Sequence, residues 1–253
     1  MLPSPAVRPP IDTIPAPPFP ARLPWVNVAS LRMDKQRGRP VLVEFWDFCR
    51  AHSLRALPYV KAWHERYADA GLRVVSVHAG GYPPSRDEAE VRAAVARLGI
   101  EHPVLIDSDF ELWRGYGNAG WPARYLFDRE LHLHAYHYGE GDYAGTERAI
   151  QGLLGVQRDP VEPVRPEDAE GAALVTHTPE RDGAWSGPYA AGGVWAVLEG
   201  EGTVRANGQE IAVRHAGAHP LVEHDRHTTG VLELAPGDGV RCHAVQFTPG
   251  LVP

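Results

Sequence analysis

The sequence predicts an α/β domain followed by a small all-β sandwich domain, and three observations carry that expectation. Between residues 41 and 155, short apolar runs alternate with segments of helical period. After Gly155 the stretch "RDPVEPVRPEDAEG" is polar and proline-bearing, as linkers are. Residues 173–253 then show alternating runs spaced by about ten residues with glycine-rich turns, and no helical period.

"VLVEFW" (41–46) is a buried strand interrupted only by Glu44. From about Ala51 to Ala70 a helix carries Leu54, Leu57, Val60, Trp63 and Tyr67 on one side, and Pro58 is expected to kink it. "LRVVSVHA" (72–79) is the second strand, and "SRDE" (85–88) has the capping-box pattern that opens a helix running to Leu98. "HPVLID" (102–107) is a third strand, and "FELWRGYG" (110–117) is a short helix stopped by glycine. "WPARYLFD" (121–128) and "LHLHAYHYG" (131–139) are two strands around a turn, and "DYAGTERAIQGLLG" is the closing helix. This order demands a sheet with helices on both faces and a terminal antiparallel hairpin. In the second half "GVWAVLEG", "GTVRANG", "QEIAVRHA", "GVLELAPG" and "VRCHAVQFTPG" supply the sandwich strands. The expected organisation is a proline-rich leader (1–24), extended and in its first dozen residues disordered, an α/β domain (25–157), a linker (158–172) and the sandwich (173–253).

Composition bounds the function. A chain of 253 residues with 43% hydrophobic and 23% charged residues has the make-up of a soluble globular protein of two domains. Its net charge of −7, without a basic block, argues against a nucleic-acid or membrane-surface partner. The N-terminus has no basic stretch followed by an apolar segment, so cytoplasmic localisation is the expectation. The two cysteines, Cys49 and Cys242, fall in different predicted domains, which excludes a disulfide framework and a cysteine-based zinc site.

The motifs of the first domain resemble a known family. "WVNV" (25–28), "RGRPVLVEFW", "LPYVKAWHERYADAGLRVVSVH", "GYGNAGWPARYLFD" and "HYGEGDY" are similar, in order, to the thioredoxin-like domain of the TlpA and DipZ group of thiol:disulfide proteins, and to its relatives in NHL-repeat-containing proteins. The resemblance implies a thioredoxin-like fold for 25–157. More weakly, "ANGQEI" and "GVLELAPGDGVRCHAVQFTPG" resemble the β-sandwich that follows this domain in DipZ-like proteins.

The family's C-x-x-C pair does not carry over intact. Counting without gaps from Phe45 and from Pro58 places the two sulfur positions at Arg50 and Ser53, with Cys49 one residue early. A one-residue deletion before Cys49 and an insertion after it would instead put Cys49 at the nucleophile position and His52 at the resolving one. Under either alignment the segment offers a single sulfur, and dithiol chemistry needs two. Cys49 sits before a helix N-terminus and beside Arg50, which would favour a thiolate; a buried, inert thiol at the end of a strand is the alternative. The resemblance assigns Glu44 the place of a buried proton-transferring carboxylate. It assigns Pro122, after Trp121, the place of a cis-proline beside the turn. Trp46, Trp121 and Pro122 are the candidate substrate-binding residues, and Cys49, Arg50, His52, Ser53 and Glu44 the candidate catalytic set.

Thirteen histidines raise the question of metal. His132 and His134 share a strand face, and His215, His219, His224 and His227 lie near Glu223 and Asp225, but neither group has a convincing ligand spacing. No metal and no cofactor are expected. Trp185, Tyr189 and Trp195 are either sandwich core or surface aromatics. Two functions compete. One is a thioredoxin-like protein without its dithiol pair, keeping a lone-thiol role through Cys49 toward a protein or small-thiol partner, or no redox role. The other is a non-catalytic binding or scaffold protein that uses the thioredoxin groove and the sandwich. The oligomeric state is left open.

Overall fold

The structure is a computed structural model that describes residues 11–253. The first ten residues of the leader, on which the expectation of disorder mainly falls, lie outside the described residues. From Ile11 the leader packs. Ile11–Thr13 is a 3-10 turn, Pro15 bridges to His132, and Phe19 and Leu23 are buried against the sheet with Trp25. Apolar side chains at Phe19 and Leu23 give this segment something to bury, so the prolines stiffen a segment docked on the sheet.

The first half contains β1 (Trp25–Val26), β2 (Val41–Trp46), α1 (Ala51–Tyr67), β3 (Arg73–His78), α2 (Glu88–Arg97), β4 (Val104–Ile106), α3 (Glu111–Gly115), β5 (Ala123–Phe127), β6 (Leu133–Tyr138) and α4 (Tyr143–Leu154). The strands form one six-stranded sheet in the order β1-β4-β3-β2-β5-β6. β2, β3 and β4 run parallel, whereas β1, β5 and β6 pair antiparallel with their neighbours. Every residue of β2 is buried, which explains its unbroken apolar run. α1 runs without interruption through Pro58 and buries Leu57, Val60, Trp63 and Tyr67. The cap of α2 differs from expectation. Asp87, not Ser85, accepts hydrogen bonds from Ala89 N and Glu90 N, while Ser85 lies in a 3-10 turn and bonds Tyr82.

The second half is strand-rich, a β-sandwich. It contains β7 (Leu174–Val175), β8 (Arg181–Asp182), β9 (Gly187–Gly200), β10 (Gly202–Ala206), β11 (Gln209–Val213), β12 (Gly217–Leu232), β13 (Leu234–Pro236), β14 (Val240–Thr248) and β15 (Gly250–Leu251). A four-stranded sheet (β12-β9-β14-β8) faces a three-stranded one (β11-β10-β13) across Val194, Leu198, Val204, Leu221, Val245 and Phe247. β9 and β12 are longer than their sequence runs suggest, because bulges in β12 let one strand serve several alternating segments.

The two halves share a core. Trp46, Phe48, Cys49 and Leu57 pack in one buried cluster with Val197, Ala216 and Ala244 of the sandwich. The connecting segment also lies against α1. Val164 N donates to Tyr59 Oη, Tyr59 Oη donates to Asp168, and Arg55 pairs with Glu167.

Candidate functional site

Between the end of β2 and the start of α1 the chain turns through Asp47–Arg50, and a buried aspartate organises that turn. Asp47 Oδ1 accepts from Cys49 N (2.8 Å), an Asx-type contact, and Oδ2 accepts from Gly81 N (2.7 Å). Burial raises the Asp47 pKa against the opposing pull of these amides. Phe48 N donates to His78 Nε2 (3.3 Å), and burial pushes His78 down to about 3, so the ring is a neutral acceptor. Asp47 N donates to Ser53 Oγ (3.2 Å), which ties the first turn of α1 to the end of β2.

Against this frame each candidate residue has a definite place. Cys49 is 0% exposed and free. Its thiol pKa is raised, by burial first and by Asp47 second, and the opposing effects of Ser85 and Arg50 are smaller. The expected shift toward a thiolate is therefore reversed: desolvation outweighs the arginine and the helix end. Arg50 stands at the N-cap position of α1 and Ser53 in its first turn, buried. His52 points elsewhere, with Nδ1 2.5 Å from Glu140 Oε1. Burial alone would raise the Glu140 carboxyl, but the His52 hydrogen bond and the Arg55 charge outweigh it and hold it below its ordinary range.

Glu44 is fully buried and its carboxyl is pushed up to about 7, by burial first, with the Ser76 hydrogen bond and Arg124 opposing. Ser76 Oγ donates to Glu44 Oε2 (2.8 Å) and lies 2.7 Å from His102 Nε2. Trp46 is 0% exposed, edge-on to His78, so it supports the turn from below and offers no face to a substrate. Trp121 and Pro122 do border the turn. Their peptide bond is cis, and Trp121 Nε1 donates to Ala79 O (2.8 Å).

The sandwich meets the turn directly. Gln246 on β14 accepts from Ala51 N (2.8 Å) and donates to Cys49 O (3.1 Å) and Tyr82 Oη (3.1 Å), so a side chain from the other half caps α1. Ala218 N donates to Phe48 O (3.0 Å). Arg50 pairs with Glu180 (2.6 Å), whose second oxygen accepts from Tyr82 Oη (2.6 Å). Sequence reasoning missed Asp47, His78, Tyr82, Glu180 and Gln246. Asp47 had a signal, an acidic residue entering a strand-to-helix turn; Glu180 and Gln246 act across the chain and had none.

Beside the turn a cleft of ≈ 440 Å³ is lined in part by His52, Trp121, Glu140, Leu174 and His177. No group of three His, Cys, Asp or Glu among the described residues is arranged to hold a metal ion. His215 and His219 stack on each other, whereas His224 stacks on Tyr189 within the sandwich. Tyr189 is core and Trp185 packs on Phe247. Among the described residues no helix is long and apolar enough to cross a membrane.

No family model matches the chain. Over 133 residues, 51% of this chain, it is 35% identical to Protein DipZ of Mycobacterium tuberculosis, and the match spans 19% of that protein. Over 130 residues it is 27% identical to the thiol-disulfide oxidoreductase YkuV of Bacillus subtilis, covering 51% of this chain and 87% of that one. A solution structure of a thioredoxin-like protein in the oxidized form superposes with a TM-score of 0.52 at 26% identity, over 56% of this chain and 95% of that chain. Homologues and structural neighbours are thus thioredoxin-fold redoxin proteins, and the first half of the chain has the thioredoxin-like fold. The chain spans less than a fifth of DipZ's length.

Proposed function

We propose that this thioredoxin-like protein does not turn over disulfides and instead uses the former active-site turn as a binding surface, occupied first by its own β-sandwich. The observation that carries the proposal is the arrangement at the start of α1. Arg50 and Ser53 stand where the gapless alignment puts the two sulfurs, and Cys49 is turned into the core under Val197, Ala216 and Ala244. A thiol without exposure and with a raised pKa is a poor nucleophile. The partner is then a protein held by contacts rather than by a mixed disulfide.

An insulin-reduction assay with dithiothreitol tests this. The parent should match background, while Arg50→Cys with Ser53→Cys and Cys49→Thr should form a reversible disulfide and gain activity. In the same protein, a mass-tagged alkylating reagent should label Cys242 before Cys49, with Cys49→Ser identifying the slow site. Efficient turnover by the parent, or activity gained by His52→Cys alone, would overturn the proposal in favour of thiol chemistry at Cys49.

A further inference from the structure

Arg50 is held in a way that its pairing with Glu180 does not by itself require. Its guanidinium carbon lies 4.7 Å from the Tyr82 ring centroid and 4.8 Å from that of Trp121, so the cation is clasped between two aromatic faces. Gly81 makes room for it. A Cβ there would come within 3.0 Å of Arg50 Nη2 and 3.3 Å of Asp47 Oδ2. Tyr82 is fixed too, because Gln246 Nε2 donates to its hydroxyl oxygen and leaves the O–H to point at Glu180. Burial raises the Tyr82 pKa, with the Glu180 hydrogen bond acting in the same direction, so the group stays a donor. Two donors, Arg50 Nη1 and Tyr82 Oη, each 2.6 Å from a different oxygen of one carboxylate, form a preorganised receptor for that group.

The group now in the receptor is weakly retained. Glu180 is 36% exposed and Arg50 22%, so the pair sits at the rim of the junction, where an ion pair contributes little. The segment around it is fixed by other bonds. Thr178 N donates to Ala190 O, Ala190 N donates to Thr178 Oγ1, and Arg181 and Asp182 pair with β14. The Glu180 side chain can therefore leave without the segment lifting. Along the same segment, the His177 ring stands 5.3 Å from the His52 ring, so residues 177–180 follow the face of the turn as an extended peptide would.

We propose that the turn is a carboxylate receptor for an acidic peptide segment, with Arg50 and Tyr82 as its donors and Glu180 as its tethered occupant. The proposal rests on the non-catalytic role argued above, and it names the chemistry of the partner. An incoming glutamate or aspartate displaces Glu180 at the rim, and neighbouring peptide contacts over Trp121 supply what the tether supplies to Glu180.

The test titrates the full chain with acetyl-Gly-Glu-Gly-amide, with the same peptide carrying Gln in place of Glu, and with acetate. Glu180→Ala should bind the Glu peptide at least about tenfold more tightly than the parent, because the internal competitor is gone. The Gln peptide should lose that gain, and Arg50→Met in the Glu180→Ala background should abolish it. Acetate should compete only at much higher concentration. Equal binding of the Glu and Gln peptides, no gain on Glu180→Ala, or indifference to Arg50→Met would overturn the proposal; acetate equal to the peptide would refute the peptide as ligand. Should Glu180→Ala unfold, the parent decides. Excess Glu peptide must shift the Gly81 amide and Tyr82 ring resonances and the Gln peptide must not, and no shift rejects the receptor. Sulfur chemistry enters none of these readouts, so a parent that reduces insulin would sink the non-catalytic role while leaving the binding result standing.

Discussion

A single carboxyl, Glu44, gives the most direct handle on how the interior is tuned. Its folded value, about 7, lies above its ordinary 4.5, so the folded state holds the proton more tightly than the unfolded one. That contribution is fully present below about 4.5 and is lost as pH rises through about 7, a change on the order of 3 kcal/mol. His78 and His102 act in the opposite sense. Both are lowered to about 3 by burial, so each stabilises above its ordinary 6.5 and loses that contribution as pH falls toward 3. Comparing Glu44→Gln with the parent removes the shared histidine terms. Thermal melts at pH 5 and pH 8 should show Glu44→Gln gaining on the parent at the higher pH, with a gap that shrinks at pH 5. A gap independent of pH would mean Glu44 does not titrate in this range. The resemblance marked Glu44 as a buried carboxylate; the rise in its pKa comes from complete burial in the folded sheet, and the Ser76 hydrogen bond and Arg124 charge that restrain it come from adjacent strands, which spacing does not reveal.

At the scale of elements, α1 shows what a sequence can specify and what it cannot. Its length follows from the spacing of Leu57, Val60, Trp63 and Tyr67, and its start follows from the turn chemistry around Asp47. Its N-terminal cap comes from Gln246, 195 residues beyond Ala51, and no local pattern marks that. The same limit hid the full lengths of β9 and β12, whose bulges break the alternation on which strand reading depends. That the second half of the leader docks was not legible, because its proline content marks an extended segment and gives no partner for Phe19 and Leu23, each of which packs in the core. The trans cap has a measurable weight. Gln246→Ala leaves Ala51 N and Cys49 O without these partners in a buried setting, and should cost roughly 2–4 kcal/mol by urea denaturation. A loss below about 0.5 kcal/mol would show that water or a shifted neighbour satisfies both groups. Gln246→Glu should be at least as damaging, because it replaces the donor to Cys49 O with a second acceptor and brings a charge into the junction.

For the whole molecule the question is whether a shared core still leaves two separable units. We propose that the division falls in 158–172, with 25–157 and 173–253 as the folded units, because each side has a core of its own besides the shared cluster: Phe45, Val75 and Leu105 on one side, Val194, Leu221 and Phe247 on the other. Ala244 is suited to test this. It is fully buried against the Trp46, Phe48 and Cys49 cluster, while the next residue, Val245, faces the sandwich interior, so a large charged side chain at 244 strikes the junction and spares the sandwich. Ala244→Arg should force the halves apart. Cys49 should then become alkylated at a rate approaching that of Cys242, and limited proteolysis should gain a cut between 158 and 172, where Val164 is already exposed. The contacts of Val164 N with Tyr59 and of Glu167 with Arg55 should keep that cut slow in the parent. Two surviving fragments with cooperative melts would establish independent units held together at the turn. Loss of cooperative unfolding in Ala244→Arg, with no surviving fragment, would refute the division. The sandwich would then be part of one fold built over the start of α1, and Cys49 would be sealed as a condition of folding rather than by a docked neighbour.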